Sequence, residues 1–192
     1  PKIQILKPYI LSVGTLKKRK GYEYSIKAFA EIADEFPELK YVIAGDGPEH
    51  KNLESQILNL KLQGRVVFLS GIGEDFLIGL YQNAELFILL PQDDNKDIEG
   101  FGLVFLEAAA SGLPVISSRG SSAEDAVRNG VNGILVSPED THEVAEVIRK
   151  ILSDKKIKNL YSTNSIELAR SMSWAKAASA YSLVYKEFSR VK

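Results

Sequence analysis

The amino-acid sequence predicts an α/β domain built on a doubly wound parallel sheet. Two observations support this fold class. Short, continuous apolar runs rich in branched residues recur along the chain, and segments with apolar residues at helical spacing separate them. Continuous apolar strands are typical of a parallel sheet that is buried on both faces, because crossover helices cover it.

Strands are expected where an apolar run ends at a turn residue. The first run ends at Gly14 and the fourth is followed by Pro91, so each leads into a loop. The expected strands are 9–14, 41–44, 66–69, 86–90, 114–117 and a short one at 133–136.

Helices are expected between these strands. The predicted ranges are 22–36, 53–60, 74–82, 105–110, 142–152 and 174–188, with room for one more helix near the end of the chain. The first helix has to stop at Pro37, which cannot continue it. This alternation is Rossmann-like, and ligands of such sheets bind outside the carboxyl ends of the strands.

Charge and composition exclude several classes of protein. The 24 Lys and Arg residues nearly balance the 25 Asp and Glu residues, so no global field attracts nucleic acid, and no nucleic-acid partner is expected. The absence of cysteine excludes disulfides and thiolate nucleophiles. No run approaches the roughly 18 apolar residues of a spanning helix, so a cytoplasmic protein is expected. The chain begins at Pro1, close to the first strand, as a domain cut from a longer protein would.

A basic loop follows the first strand. Four consecutive cations, 17–20, lie between Gly14 and Gly21 at the entrance to a helix. Glycine lets the backbone approach an anion, and the helix N-terminus and the cations favour phosphate. A solvated surface loop explains the same residues equally well. The spacing matches neither a Walker motif nor G-x-G-x-x-G, which argues against ATP hydrolysis of the P-loop type.

An acidic, glycine-rich segment follows the fourth strand. It places Glu99 before a predicted helix and Glu107 within it, so both carboxylates can face one ligand. The amides of 101–103 would then lie at the helix start, where they can bind a phosphate or a sugar hydroxyl. The alternative is that Glu99 only interacts favourably with the dipole of the helix and that Glu107 is a solvated helix residue. Against it, Glu107 has Phe105 and alanines as neighbours, and a carboxylate in apolar surroundings needs a partner.

Other polar and aromatic residues offer less. Neither His50 nor His142 completes a Ser-His-Asp set, and both are expected at the surface. Trp174, Tyr181 and Tyr185 fall at helical spacing, which favours a core or domain-contact stripe over an aromatic ligand cage. Paired acids for glycoside hydrolysis are disfavoured, because the chain offers no second wall for a groove.

Motifs along nearly the whole chain, taken in order, resemble one enzyme family. The stretch 99–116 resembles the E-x(7)-E signature of the retaining nucleotide-sugar glycosyltransferases of family four (group 1), which have the GT-B fold. The loop 13–21 resembles their G-R-L-x-x-x-K-G loop, and 45–48 and 68–71 resemble their next two strand ends. The segment 129–138 resembles their closing segment.

The resemblance implies the C-terminal, donor-binding half of a two-domain enzyme that transfers a sugar from a nucleotide diphosphate to an acceptor hydroxyl with retention. The residues that it assigns to the donor diphosphate are Gly14, Thr15, Arg19, Lys20, Gly102 and Leu103. It assigns the transferred sugar to Glu99, Gly100 and Phe101, the ribose to Glu107 and the nucleobase to Ile72. Glu99 is the catalytic candidate; it would orient the sugar and offset oxocarbenium charge. No metal or other cofactor is expected, because cations and helix-end amides can stabilise the leaving diphosphate.

The same resemblance implies a partner domain. An N-terminal domain outside this sequence would bind the acceptor, which would be a glycan, a lipid or a small molecule. The helices from 155 onward are expected to pack toward that domain, and the isolated chain is expected to be inactive. The partner domain would also provide any peripheral contact with the inner face of a membrane.

The sequence departs from the family pattern at two points. Thr15 stands where the family usually has Arg, so one diphosphate charge is lost unless Arg19 or Lys18 replaces it. The stretch 92–98 is longer and more acidic than usual, which would alter the choice of donor sugar. Two other interpretations stay open: a non-catalytic nucleotide-sugar-binding subunit that needs a separate partner chain, and a scaffold that uses the same fold for protein contacts.

Overall fold

The computed structural model describes residues 8–92 and 102–188. Within them, one sheet contains β1 (Tyr9–Val13), β2 (Lys40–Ala44), β3 (Val66–Leu69), β4 (Phe87–Ile88), β5 (Val115–Ser118) and β6 (Gly133–Val136). The strand order is β3-β2-β1-β4-β5-β6, and every adjacent pair is parallel. The predicted doubly wound parallel sheet is therefore confirmed.

Helices connect the strands and follow the last of them. They are α1 (Tyr22–Ile32), α2 (His50–Asn59), α3 (Glu74–Asn83), α4 (Leu103–Ala110), α5 (Thr141–Ser153), α6 (Lys155–Ser171) and α7 (Trp174–Phe188). The β1-to-β2 and β4-to-β5 crossovers run in opposite directions along the sheet, so the right-handed rule puts α1 and α4 on opposite faces. In the described ranges, no helix combines the length and the apolar character needed to cross a membrane.

The order of the strands reverses between β1 and β4. One half of the sheet grows from β1 through β2 to β3, and the other from β4 through β5 to β6. At such a switch point the loops that follow the two central strands diverge to opposite faces and leave a crevice at the carboxyl edge. The loops after β1 and β4 are therefore where a ligand is expected.

A buried hydroxyl network ties the strands together beside this point. The Tyr41 hydroxyl lies 2.7 Å from Ser12 Oγ and 2.8 Å from Ser25 Oγ. The Ser12 hydroxyl also donates to the carbonyl of Ile88. Burial raises the pKa of Tyr41 to about 12, so its phenol stays protonated. The network connects β1, β2, β4 and α1 and satisfies polar groups that would otherwise be costly to bury.

The first helix is shorter than the sequence predicts. It was expected to reach Phe36 and ends at Ile32. The Arg65 guanidinium donates to the carbonyls of Ala33, Phe36 and Leu39 at 2.8 to 3.0 Å. A long-range side chain thus holds the chain in turns after α1, which apolar spacing within the helix could not reveal.

The fourth strand is also shorter than its apolar run. The run 86–90 was expected to be a strand, whereas β4 comprises Phe87–Ile88 alone. Leu86, Leu89 and Leu90 are nevertheless buried. The apolar pattern therefore predicted burial correctly and overestimated the length of the hydrogen-bonded ladder.

The last two helices differ in their contacts with the domain. In α6, Tyr161 and Leu168 are buried, and the Ser165 hydroxyl donates to the carbonyl of Leu113 at 2.8 Å. In α7, by contrast, Trp174 is 81% exposed and Tyr181 69% exposed. Of the two expectations for this stripe, a place in the core of this domain is therefore wrong, because its aromatic side chains are exposed, whereas a contact with another domain stays a prediction.

A matched pair of glycine substitutions tests the packing of β5 against β6. A Cβ on Gly133 would lie 2.0 Å from the carbonyl oxygen of Val115, in the backbone of the neighbouring strand. We expect Gly133→Ala to lower the free energy of unfolding by about 1–3 kcal/mol, measured by urea denaturation, because backbone cannot move aside as a side chain can. Gly79→Ala is the control, since nothing lies within 4 Å of its Cβ position in α3; it should raise stability by about 0.5–1 kcal/mol. Equal effects of the two substitutions would contradict the packing.

Candidate functional site

The predicted anion loop begins where β1 ends. Lys20 belongs to a short 3-10 turn, Lys18–Lys20, and is only 7% exposed. A Cβ on Gly14 would lie 4.0 Å from Lys20 Nζ, so the ammonium group is held over the end of β1. The Tyr22 hydroxyl donates to the carbonyl of Gly14 at 2.9 Å and fixes the start of the loop. The structure thus brings Gly14 and Lys20 together, with Thr15 exposed between them.

The cations of the basic run do not act as one group. Lys17 and Lys18 line a cleft of about 440 Å³ between α1 and α2, together with Glu23 and Glu49. Arg19 is half-buried. Lys18 therefore lies in a different cleft, whereas Lys20 lies beside Gly14.

Glycines let three loops pack backbone against backbone at this edge of the sheet. A Cβ on Gly45 would lie 2.0 Å from the carbonyl oxygen of Gly14, and a Cβ on Gly21 would lie 2.0 Å from that of Leu90. The loops after β1, β2 and β4 consequently form one continuous floor. This requirement explains why Gly45 and Gly21 are glycines.

The second candidate anion-binding element is the start of α4. Gly102 precedes the helix with φ 67°, in the left-handed region, and is buried. The next residue, Leu103, is 52% exposed. The first amides of a helix have no acceptor within the helix and carry partial positive charge, so this end of α4 suits an anion. It follows β4 in the chain, whereas Lys20 follows β1.

Glu107 lies in the last turns of α4 and is exposed. The expectation that its neighbours bury it is wrong, because Phe105, Ala108 and Ala109 occupy the opposite, core-facing side of the helix. The expected partner is nevertheless present: the Tyr81 hydroxyl donates to Glu107 Oε2 at 2.8 Å. Burial of Tyr81 raises its pKa, and the negative charge of Glu107 raises it further.

One small cleft is lined by this carboxylate, and a second cleft shares a residue with the first. One, of about 260 Å³, is lined by Glu74, Leu77, Ile78, Tyr81, Glu107 and Ser111. The other, of about 220 Å³, lies at the ends of β1, β2 and β3 and includes Gly45, Ile72 and Leu77. Leu77 lines both, so a ligand can occupy them together. The structure thus brings Ile72 and Glu107 to the same side of the sheet edge.

Some predicted site residues cannot be placed in this geometry. Glu99, Gly100 and Phe101 lie outside the described residues. Sequence reasoning also missed Tyr22 and Tyr81, which bond to the site from α1 and α3. No sequence pattern indicated either residue, because Tyr22 bonds to a backbone carbonyl and Tyr81 bonds to a side chain 26 residues away. Among residues 8–92 and 102–188, no group of three or more His, Asp or Glu side chains could hold a metal ion.

A second pair of substitutions tests how α4 is positioned. A Cβ on Gly102 would lie 2.7 Å from Cδ2 of Phe105, whose ring is fully buried and cannot turn away. Gly120→Ala supplies the control, since Gly120 has φ 72° with nothing within 4 Å of its Cβ position. In both variants the alanine has to adopt the left-handed conformation, which should lower the free energy of unfolding by roughly 1–2 kcal/mol. Gly102→Ala should lose a further 1–3 kcal/mol or so from overpacking, measured by thermal unfolding. If the two variants lose the same stability, Phe105 does not constrain the start of α4.

Comparison with known proteins identifies the family. Residues 2–168 match the family model described as "Glycosyl transferases group 1". An uncharacterised glycosyltransferase of Methanocaldococcus jannaschii is 34% identical over 178 residues. That alignment covers 92% of this chain and 44% of the relative, so the chain spans less than half of that protein.

Solved structures agree with the fold. The Anabaena protein HepE, in complex with UDP and glucose, superposes with a TM-score of 0.73 and 28% identity, over 84% of this chain and 43% of HepE. The C-terminal domain of a group 1 glycosyl transferase from Francisella tularensis superposes with a TM-score of 0.75 and 23% identity, over 85% of each chain. With the sheet order, the glycine-lined crevice and the family match in agreement, the chain belongs to the group 1 glycosyltransferases and has the Rossmann-like fold of one half of a GT-B protein.

Proposed function

We propose that this chain is the donor-binding half of a retaining glycosyltransferase. It would bind a nucleoside diphosphate sugar and, with an N-terminal acceptor-binding domain, transfer the sugar to an acceptor hydroxyl. The observation that carries the proposal is the arrangement at one edge of the sheet. A buried cation, Lys20, lies at the end of β1. The carboxylate of Glu107 lines a cleft that shares Leu77 with the cleft that contains Ile72.

The diphosphate would lie in the crevice between the loop after β1 and the start of α4. Lys20 and Arg19 supply positive charge there, Gly14 and Thr15 allow close approach of the backbone, and Gly102 and Leu103 offer helix-end amides. A partly desolvated lysine interacts more strongly with an anion than a fully hydrated one does, because the effective dielectric constant is lower. This supports binding through Lys20 although Thr15 replaces the usual arginine.

The nucleoside would occupy the two clefts that share Leu77. Glu107 would accept hydrogen bonds from the ribose hydroxyls, and Ile72 would contact the base. The UDP present in the HepE structure makes UDP the first nucleotide to test. In this arrangement the base, the ribose and the diphosphate would follow one path along the carboxyl edge of the sheet.

In the reaction, the bond between the anomeric carbon and the diphosphate oxygen breaks, and a bond to the acceptor oxygen forms on the same face. The nucleoside diphosphate leaves with the electron pair of the broken bond, and its departing oxygen takes up the proton that the acceptor hydroxyl loses. The residues derived above would stabilise the negative charge of the leaving group without a metal. Following the resemblance, we assign the transferred sugar to Glu99, Gly100 and Phe101, with Glu99 offsetting the positive charge at the anomeric carbon.

The proposal includes a second domain. The chain spans 44% of its M. jannaschii relative and 85% of a crystallised C-terminal domain, which supports a missing N-terminal half. Because α6 packs on this domain, we assign the contact with that half to α7, whose exposed apolar residues include Trp174, Leu183 and Phe188. The acceptor would be a glycan, a lipid or a small molecule bound in the cytoplasm or at the inner membrane face, and the isolated chain would bind donor without turnover.

Calorimetric titration of the chain with UDP, GDP and ADP tests donor binding. We expect one of these nucleotides to bind with the same affinity with and without magnesium. Lys20→Ala should weaken that binding by about tenfold or more, because a charge-assisted contact contributes roughly 1.5–3 kcal/mol. Glu107→Ala should weaken it by a similar factor.

Two matched variants serve as controls. Lys18→Ala removes a cation that lines the cleft between α1 and α2, and Glu167→Ala removes an exposed carboxylate of α6. Neither should change the dissociation constant by more than about twofold. Binding that requires magnesium, or that survives Lys20→Ala unchanged, would refute the proposed diphosphate site.

Intrinsic fluorescence tests the contact through α7. Trp174 is the only tryptophan in the chain and is 81% exposed, so its emission reports on α7 alone. We expect emission typical of a hydrated indole from this chain, and a blue shift when the chain is joined to, or mixed with, the N-terminal half. Unchanged emission in the joined protein would exclude packing of that half against Trp174.

A further inference from the structure

We propose that Tyr81 is a positioning residue for Glu107, holding one carboxylate oxygen so that the other is presented to a vicinal diol. The inference rests on the proposed function, in which Glu107 binds the ribose. Tyr81 itself would not touch the nucleotide. Its contribution would be to select a ribonucleotide over its 2′-deoxy counterpart.

The contact joins a buried donor to an exposed acceptor. The Tyr81 side chain is 3% exposed, and its hydroxyl reaches Glu107 Oε2 at 2.8 Å, at the rim of the cleft that both residues line. An exposed glutamate on a helix otherwise samples several rotamers, and ordering it on binding opposes affinity. A fixed hydrogen bond to one oxygen removes much of that freedom before the nucleotide arrives.

The donor is itself rigid. The Tyr81 ring lies 5.9 Å from the ring of Phe87 in β4, measured between centroids. Phe87 in turn packs edge-on against Phe105 of α4 at 5.7 Å. Both phenylalanines are fully buried. Tyr81 is therefore anchored to the same strand and helix that build the site, and its hydroxyl has a fixed position relative to α4.

The phenol keeps its proton under ordinary conditions. Burial raises the pKa of Tyr81, and so do the charge of Glu107, the hydrogen bond itself and the nearby Tyr22 hydroxyl. Tyr81 consequently acts only as a donor to Glu107. One lone pair of Oε2 is thereby used, while Oε1 keeps its acceptor sites for hydroxyl groups. Two hydroxyls on adjacent carbons of a sugar ring fit a carboxylate held in this way.

Tyr81→Phe tests the inference, because it removes the hydroxyl and keeps the aromatic stack. The probes are UDP, GDP, ADP and their 2′-deoxy counterparts, titrated into this chain by calorimetry. For the nucleotide that binds, the variant should weaken binding of the ribonucleotide about five- to tenfold, in line with the net contribution of one ordinary hydrogen bond. Binding of the 2′-deoxy nucleotide should weaken less than about twofold, so the ratio of the two affinities falls. A purely structural role would weaken both equally.

Two further variants separate positioning from stability. Tyr9→Phe removes a buried hydroxyl that donates to the carbonyl of Leu80 on the same helix, α3. It should leave the discrimination unchanged even if stability falls. In a Glu107→Ala background, Tyr81→Phe should have no further effect on ribonucleotide affinity. Independent, additive effects of the two substitutions would overturn the inference.

A measurement without nucleotide distinguishes this inference from the proposed function. Side-chain ¹³C relaxation of Glu107 should show a more ordered carboxylate in the native chain than in Tyr81→Phe. If no nucleotide binds the native chain, donor binding by this chain fails, and the relaxation result still decides whether Tyr81 orders Glu107. If Glu107 is equally mobile in both proteins, the inference is wrong whatever the chain binds.

Discussion

The close approach of backbone to backbone at the carboxyl edge of the sheet is the constraint on which the site depends. Gly45 lies against the carbonyl of Gly14, and Gly21 against that of Leu90, at distances that leave no space for a Cβ. These contacts fix the loops after β1, β2 and β4 relative to the switch point. Lys20 directly precedes Gly21, so the backbone of this buried residue is fixed by the same contact.

Helix α4 is positioned by aromatic packing. The rings of Tyr81, Phe87 and Phe105 form a continuous buried row from α3 through β4 to α4. One end of the row reaches the carboxylate of Glu107, and the other supports Gly102 at the start of the helix. Two features of α4, its first amides and its carboxylate, are therefore positioned by one cluster. A change in that cluster would disturb both, whereas the loop after β1 is held separately through Tyr22 and Gly14.

The sequence predicted the fold more completely than it predicted the residues of the candidate site. Continuous apolar strands with glycine turns were sufficient for the doubly wound sheet, because burial on both faces dictates that pattern. The end of α1 was predicted too late, since the turns after it are held by Arg65, which lies 29 residues beyond Phe36 in the sequence. Burial of Glu107 was predicted wrongly, because sequence neighbours on a helix do not share a face. Its partner Tyr81 could not be found, since no periodicity links positions on two different helices.

The division of the basic run supports the proposal that the diphosphate site tolerates Thr15. A charge contributes to anion binding mainly through its distance from the anion and its degree of solvation, and less through the number of cations nearby in sequence. Lys17 and Lys18 are exposed and line the cleft between α1 and α2, where water and Glu23 screen them. Lys20 is buried beside Gly14, where screening is weakest. In the proposed site, one desolvated lysine and the helix-end amides would therefore replace a more exposed pair of cations, and the geometry of the loop would matter more than its formal charge.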